Sequence, residues 1–218
     1  MKKFLLSVLS LVYGLSVSAT SFILVESTSQ LEVGKKYIIV ATDYNYAIST
    51  TQSTNNRGQF SITKEGKLIN SIPNSVQILT LEQGTKDDTW AFNTGSGYLC
   101  SASSSNNHLK TTGELKDRTS ATITISTAGI ATIVFQGNYT RNTLKYNQSS
   151  GIFACYAPED ARNNVSLYKE IDTVTGIDEI VAKNAPVEYY NLLGVKVANP
   201  EKGIFIKKQG NKATKVIL

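Results

Sequence analysis

The chain has 218 residues, a formal charge of +5 and a sequence pI near 9.1. Hydrophobic residues make up 41%, enough for a packed core, which excludes a globally disordered chain. One histidine and two cysteines exclude metal centres built from several such ligands.

Met1-Lys2-Lys3 is a positive start, and Phe4 to Leu15 is an apolar run. Val17-Ser18-Ala19 then fits the small-residue rule for signal cleavage after Ala19. The run is short for a membrane span of about 20 residues. Residues 1–19 therefore read as an export signal, which leaves a mature chain without a transmembrane anchor. Export permits a disulfide between Cys100 and Cys155. Both cysteines sit in apolar strand-like contexts, so two buried thiols are the favoured reading and a bridge the alternative.

Beyond the signal, strand patterns arrive at short intervals, separated by Asn, Gly, Ser and Asp clusters that carry turn chemistry. Ser, Thr and Asn together make 62 residues, while charged residues are only 18%. That balance suits strands with hydroxyl-rich faces. Phe22–Val25 comes first and is left to pair with the last strand of the domain. Three sets of four strands then follow. They are Tyr37–Ala41, Tyr46–Thr50, Gln59–Thr63 and Val76–Leu81; Trp90–Asn93, Tyr98–Ser101, His108–Thr111 and Ala121–Ser126; Ala131–Phe135, Thr143–Tyr146, Ile152–Tyr156 and Val165–Tyr168.

Three landmarks align the sets. Ala47, Leu99 and Leu144 are 52 and 45 apart; Phe60, Leu109 and Phe153 are 49 and 44 apart; Ile78, Ile123 and Leu167 are 45 and 44 apart. A near-constant period marks a repeat architecture. Residues 20–171 are thus expected to form an all-β domain that resembles a β-trefoil of three pseudo-repeats, each about 45 residues. An irregular β-sandwich is the alternative. Trp90, Phe92, Ile123, Ile125, Val134 and Phe135 read as core, and Tyr44, Tyr46, Tyr139 and Tyr156 as exposed aromatics beside turns.

The high pI invites a nucleic-acid reading, but its charge is placed elsewhere. Residues 1–19 carry +2 and residues 173–218 carry +3, whereas residues 20–171 hold 13 basic and 12 acidic side chains. Without a basic cluster in the main domain, a nucleic-acid partner is not expected. His108 reads as a surface residue rather than a catalytic base. Asp87-Asp88 and Glu159-Asp160 are neighbours that point to opposite strand faces, which suits solvated turns better than a shared substrate. No phosphate loop or zinc motif occurs, so no enzyme activity, metal or cofactor is expected.

Residues 172–186 read as a linker, and 187–218 as a small β-module of three or four strands with glycine turns. Tyr190-Asn191-Leu192-Leu193-Gly194, Pro200 before Gly203-Ile204-Phe205-Ile206, and Lys215-Val216 resemble the C-terminal sorting domains of exported Bacteroidetes proteins. The module is about half their length. This resemblance implies a secretion machinery as partner and delivery to the cell surface or medium of a Gram-negative cell. Thr50 to Arg57, Gly97-Tyr98-Leu99 with Ser103 to Ser105, and Thr140 to Asn147 are similar to a β-domain of undefined role in secreted proteins of the same group.

The expected function is a non-enzymatic binding or adhesion module, with a glycan or host-surface component as ligand. Asp43, Tyr46, Asn56, Arg57, Asn107, Asn138, Tyr139 and Arg141, in polar loops at pseudo-threefold positions, are the candidate contacts. A structural or interaction protein of a surface assembly is the alternative, and a hydrolase accessory domain the third reading.

Overall fold

The computed structural model describes residues 20–171, 186–209 and 212–217. The expected export signal and all but the last residue of the expected linker lie outside these described residues.

Six strands close a barrel. They are β2 (Lys36–Ala41), β6 (Leu79–Gln83), β7 (Trp90–Asn93), β10 (Ser120–Ile125), β11 (Ala131–Phe135) and β14 (Val165–Ile171). Antiparallel pairs run β2–β6, β6–β7, β7–β10, β10–β11, β11–β14 and β14–β2, so the ring returns to its start without an edge. Three hairpins branch from it: β3 (Tyr46–Gln52) with β4 (Arg57–Ser61), β8 (Tyr98–Ser101) with β9 (Leu109–Thr112), and β12 (Thr143–Asn147) with β13 (Ile152–Tyr156). Each is joined to its barrel strand by one pair, Val40↔Ala47, Asn93↔Tyr98 and Val134↔Thr143. This closed ring with three caps is a β-trefoil.

Alternation along the strands makes the core threefold. Ile39, Phe92 and Ile133 point inward, opposite Leu167, Leu81 and Ile123, and all six belong to one buried cluster. Burial of each such side chain contributes roughly 1.5–3 kcal/mol. The hairpin turns repeat as well. Ser53 Oγ accepts from Asn56 N, Ser103 Oγ from Asn106 N, and Asn147 Oδ1 from Ser150 N. This is the local use of the Ser and Asn abundance.

The expected repeat holds in its second and third copies and slips in the first. Ile48, not Ala47, is the core counterpart of Leu99 and Leu144, and Leu81 replaces Ile78 beside Ile123 and Leu167. Phe60 is 37% exposed and is not the counterpart of Leu109 and Phe153. Leu99, Leu144 and Ile48 face Thr111, Cys155 and Gln59 across their hairpins. Two residues earlier on the return strands stand Leu109, Phe153 and Arg57. A register shift between Ile48 and Gln52 displaces the first hairpin, a feature that a spacing rule does not carry.

The first repeat also carries additions. β1 (Ser21–Leu24) pairs with β14, as the leftover segment was expected to, and with the unforeseen two-residue strand β5 (Leu68–Ile69). Together they cover the outer face of β2, where Phe22, Ile69 and Tyr168 bury Ile38, Val40 and Ala47 in a second cluster. Of the expected core, Phe92, Ile123 and Phe135 are buried, while Trp90, Ile125 and Val134 are partly buried. Tyr156, expected to be exposed, is 1% exposed, and its hydroxyl accepts from Asn147 Nδ2 at 2.9 Å. Cys100 and Cys155 are buried free thiols, and burial pushes the Cys155 thiol well up.

The C-terminal strands β15 (Val187–Tyr190), β16 (Lys196–Val197), β17 (Ile204–Gln209) and β18 (Lys212–Ile217) form an antiparallel sheet in the order β16-β15-β17-β18. No residue in it is buried among those whose side chains are described.

Candidate functional site

The eight expected contact residues fall at three junctions between repeats. At the first, Asn56 Oδ1 and Asn55 O accept from Leu109 N, which ties the first hairpin to the second. Arg57 sits just behind, 3% exposed. Its guanidinium donates to Gln77 Oε1 (3.0 Å), Thr50 O (3.2 Å) and Thr111 Oγ1 (2.6 Å), and no ion pair reaches it among the described residues. Burial lowers its pKa. The position explains the burial, since the other two repeats place Leu109 and Phe153 there. Arg57 is therefore an interior tie, not the loop contact expected.

At the second junction, Arg141 Nη1 donates to Asn107 Oδ1 at 2.6 Å, and Thr140 N donates to Ser104 Oγ. Asn138 and Tyr139 lie on the same loop, exposed and half-buried, and their side chains make no hydrogen bond. At the third, Tyr46 and Tyr44 pack on Tyr146, with ring centroids 6.2 and 5.6 Å apart. Asp43 is exposed beside them, and its charge favours the ammonium of Lys64 against burial.

A more open feature lies on the outside of the barrel. In each repeat the first barrel strand and the first strand of its hairpin turn equivalent side chains outward. The threefold pairing identifies the equivalent residues. In the first repeat they are Ile38, Val40, Ala47 and Ser49, with Tyr168 on the neighbouring strand; β1 and β5 cover them. In the second they are Ala91, Asn93, Tyr98 and Cys100, with Glu82 alongside. There Glu82 accepts from Tyr98 Oη (2.8 Å) and Asn93 Nδ2 (2.7 Å), and the bond to Tyr98 raises the Tyr98 pKa.

In the third repeat the same positions are Thr132, Val134, Thr143 and Lys145, with exposed Thr124 where the others have Glu82 and Tyr168. No hydrogen bond links these side chains across the gap. A cleft of about 160 Å³ remains, and Ala131, Leu144, Pro158 and Asn164 complete its walls. Thr132, Thr143, Lys145 and Asn164 have no side-chain hydrogen bond or ion pair. Thr143 is only 5% exposed, and its Oγ1 is buried without a partner. A buried hydroxyl left unpaired costs about 1–3 kcal/mol. No carboxylate and no aromatic ring lines the cleft.

None of these four side chains was among the contacts expected from the sequence. Alternation along Thr143-Leu144-Lys145-Tyr146 was the available signal, because it sets Thr143 and Lys145 on one face. His108 is half-buried, and burial lowers its pKa. Among the described residues, no three His, Cys, Asp or Glu side chains form a metal-holding group, and no helix is long and apolar enough to cross a membrane.

No family model and no curated protein matches the chain. Among solved structures, the chain is similar to one described as a BEL beta-trefoil in an apo crystal form. The TM-score is 0.48 at 13% identity, over 67% of this chain and 100% of that one. The trefoil assignment rests on the strand pairings above.

Proposed function

We propose that the protein is an exported, non-enzymatic binding module that holds one residue of a glycan in the third-repeat cleft. The supporting observation is a cleft in the third repeat whose lining includes Thr132, Thr143, Lys145 and Asn164, side chains with no hydrogen-bond partner. Such convergence of polar groups against apolar walls is the usual form of a small-molecule site. At about 160 Å³ it is smaller than the roughly 300–1,000 Å³ of sites for drug-sized ligands, which suits a single sugar ring or smaller group. Hydroxyls and an amide suit sugar hydroxyls, which both donate and accept. Surface delivery is part of the proposal and rests on the export-like N-terminus and the sorting-domain resemblance.

The test is a glycan array with the full chain, Thr143→Tyr and Arg141→Ala. Thr143→Tyr copies the side chain that fills the second groove. Binding by the wild type that is lost in Thr143→Tyr and kept in Arg141→Ala is the expected result. No binding by the wild type would refute the proposal. Dependence on Arg141 would move the site to the Asn107 junction.

A second reading, a subunit of a surface assembly, is supported by the tail sheet. Leu192, Leu193, Val195 and Ile217 there are 59–88% exposed. A stoichiometric outer-membrane protein retained by the full chain, with no glycan bound, would favour it.

A further inference from the structure

We infer that the third-repeat cleft selects a ligand bearing a carboxylate, namely an acidic sugar of the hexuronate type. The inference rests on the glycan reading above for the sugar, and on the cleft alone for the charge.

The polar lining is unbalanced. Lys145 is its one charged side chain, and an ammonium offers three donors and no acceptor. None of the ion pairs among the described residues includes Lys145, and no side-chain or backbone oxygen accepts from it. Glu159 follows Pro158 in the chain yet is not part of the lining and pairs with no base. Asp160 Oδ1 accepts from Arg162 N, its own loop.

The remaining groups are placed to complete an anion contact. Thr143 and Lys145 are two apart on one strand, so they share a face at a spacing of about 6.4–6.8 Å. A carboxylate in the cleft can accept from the Lys145 ammonium, with the buried Thr143 side chain forming the wall beside it. Asn164 is also part of the lining, and its amide can donate to the same anion or to a ring hydroxyl. Contacts of this kind between an ionised donor and acceptor are about twice as strong as neutral ones. The second groove holds its own carboxylate, Glu82, against Tyr98 and Asn93. In the third, Thr124 stands at the Glu82 position, and the cation is present without an internal anion.

The test is calorimetric titration of the full chain with glucuronate, glucose and acetate, repeated with Lys145→Gln and Lys145→Arg. Glucuronate binding at least tenfold tighter than glucose is expected. The preference should vanish in Lys145→Gln, survive in Lys145→Arg and weaken as salt rises. Equal affinity for glucuronate and glucose, or a preference retained in Lys145→Gln, overturns the carboxylate inference and leaves the glycan reading standing. Acetate binding as tightly as glucuronate, with the same Lys145 dependence, supports the anion site and overturns the sugar. No binding of any of the three probes overturns the inference.

Discussion

Replacing Arg57 by alanine is expected to destabilise the trefoil by ~2–4 kcal/mol, from hydrogen bonds lost and a void opened, partly offset because a buried cation without an ion pair is removed. The guanidinium is 3% exposed and supplies donors to Gln77 Oε1 and Thr111 Oγ1. Hydrogen bonds to a charged group contribute about 1.5–3 kcal/mol each. Truncation also opens a void where the sister repeats hold Leu109 and Phe153. Arg57→Met should cost less, about 1–2 kcal/mol. It refills the apolar slot and removes the cost of desolvating a charge, though Gln77 loses its donor. Arg57→Lys keeps the charge and loses the planar fork, so it should fall between the two. Urea unfolding of the full chain, read as a midpoint shift at constant slope, gives the order Ala, then Lys, then Met. A methionine variant less stable than the lysine variant would refute the reasoning. It would mean that the positive charge itself is needed, which requires an anion near Arg57.

Thr143→Val should stabilise the ligand-free protein by ~1 kcal/mol, because it removes an unpaired buried hydroxyl at nearly constant shape; a lower melting temperature would show that the hydroxyl has a partner. Gly97→Ala should destabilise by roughly 2 kcal/mol or more, since φ is 145° and a Cβ would stand 2.5 Å from Thr112 O; an unchanged melting temperature would contradict the β7–β8 turn geometry. His108 has its pKa lowered from 6.5 by burial, so the unfolded chain binds the proton more readily. Its contribution is present above about pH 6.5 and declines as pH falls below that value. Melting curves of wild type and His108→Asn should diverge only on the acid side. A thiol reagent should find no reactive cysteine in the native protein and two after denaturation; a single rapid reaction in the native state would place Cys100 or Cys155 at the surface.

Much of this architecture is readable from order and alternation. The strands Trp90–Asn93, Tyr98–Ser101, Ala131–Phe135 and Ile152–Tyr156 stand where apolar alternation and Ser/Asn turns put them. Period and turn chemistry act locally, so each repeat announces itself in the chain. The first repeat is less legible because its hairpin shifts register and its outer face is covered by β1 and β5. The alternation that exposes Thr143 and Lys145 together is likewise visible in the sequence. It does not say that their groove is open, since that depends on what three distant segments do at equivalent places.

By itself, the sequence determined that the high pI belongs to the two ends of the chain and that a near-neutral, threefold β-domain lies between them. Tertiary structure alone decided the rest. It buried Arg57 at a position filled elsewhere by Leu109 and Phe153, and spent Asn56, Asn107 and Arg141 on ties between hairpins. At three equivalent places it bonded Tyr98 to Glu82, packed Phe22 and Ile69 over Ile38 and Val40, and set a cleft beside Thr143 and Lys145. The physical reason is that a side chain's role here follows from its partner across the barrel, and those partners are many residues away along the chain.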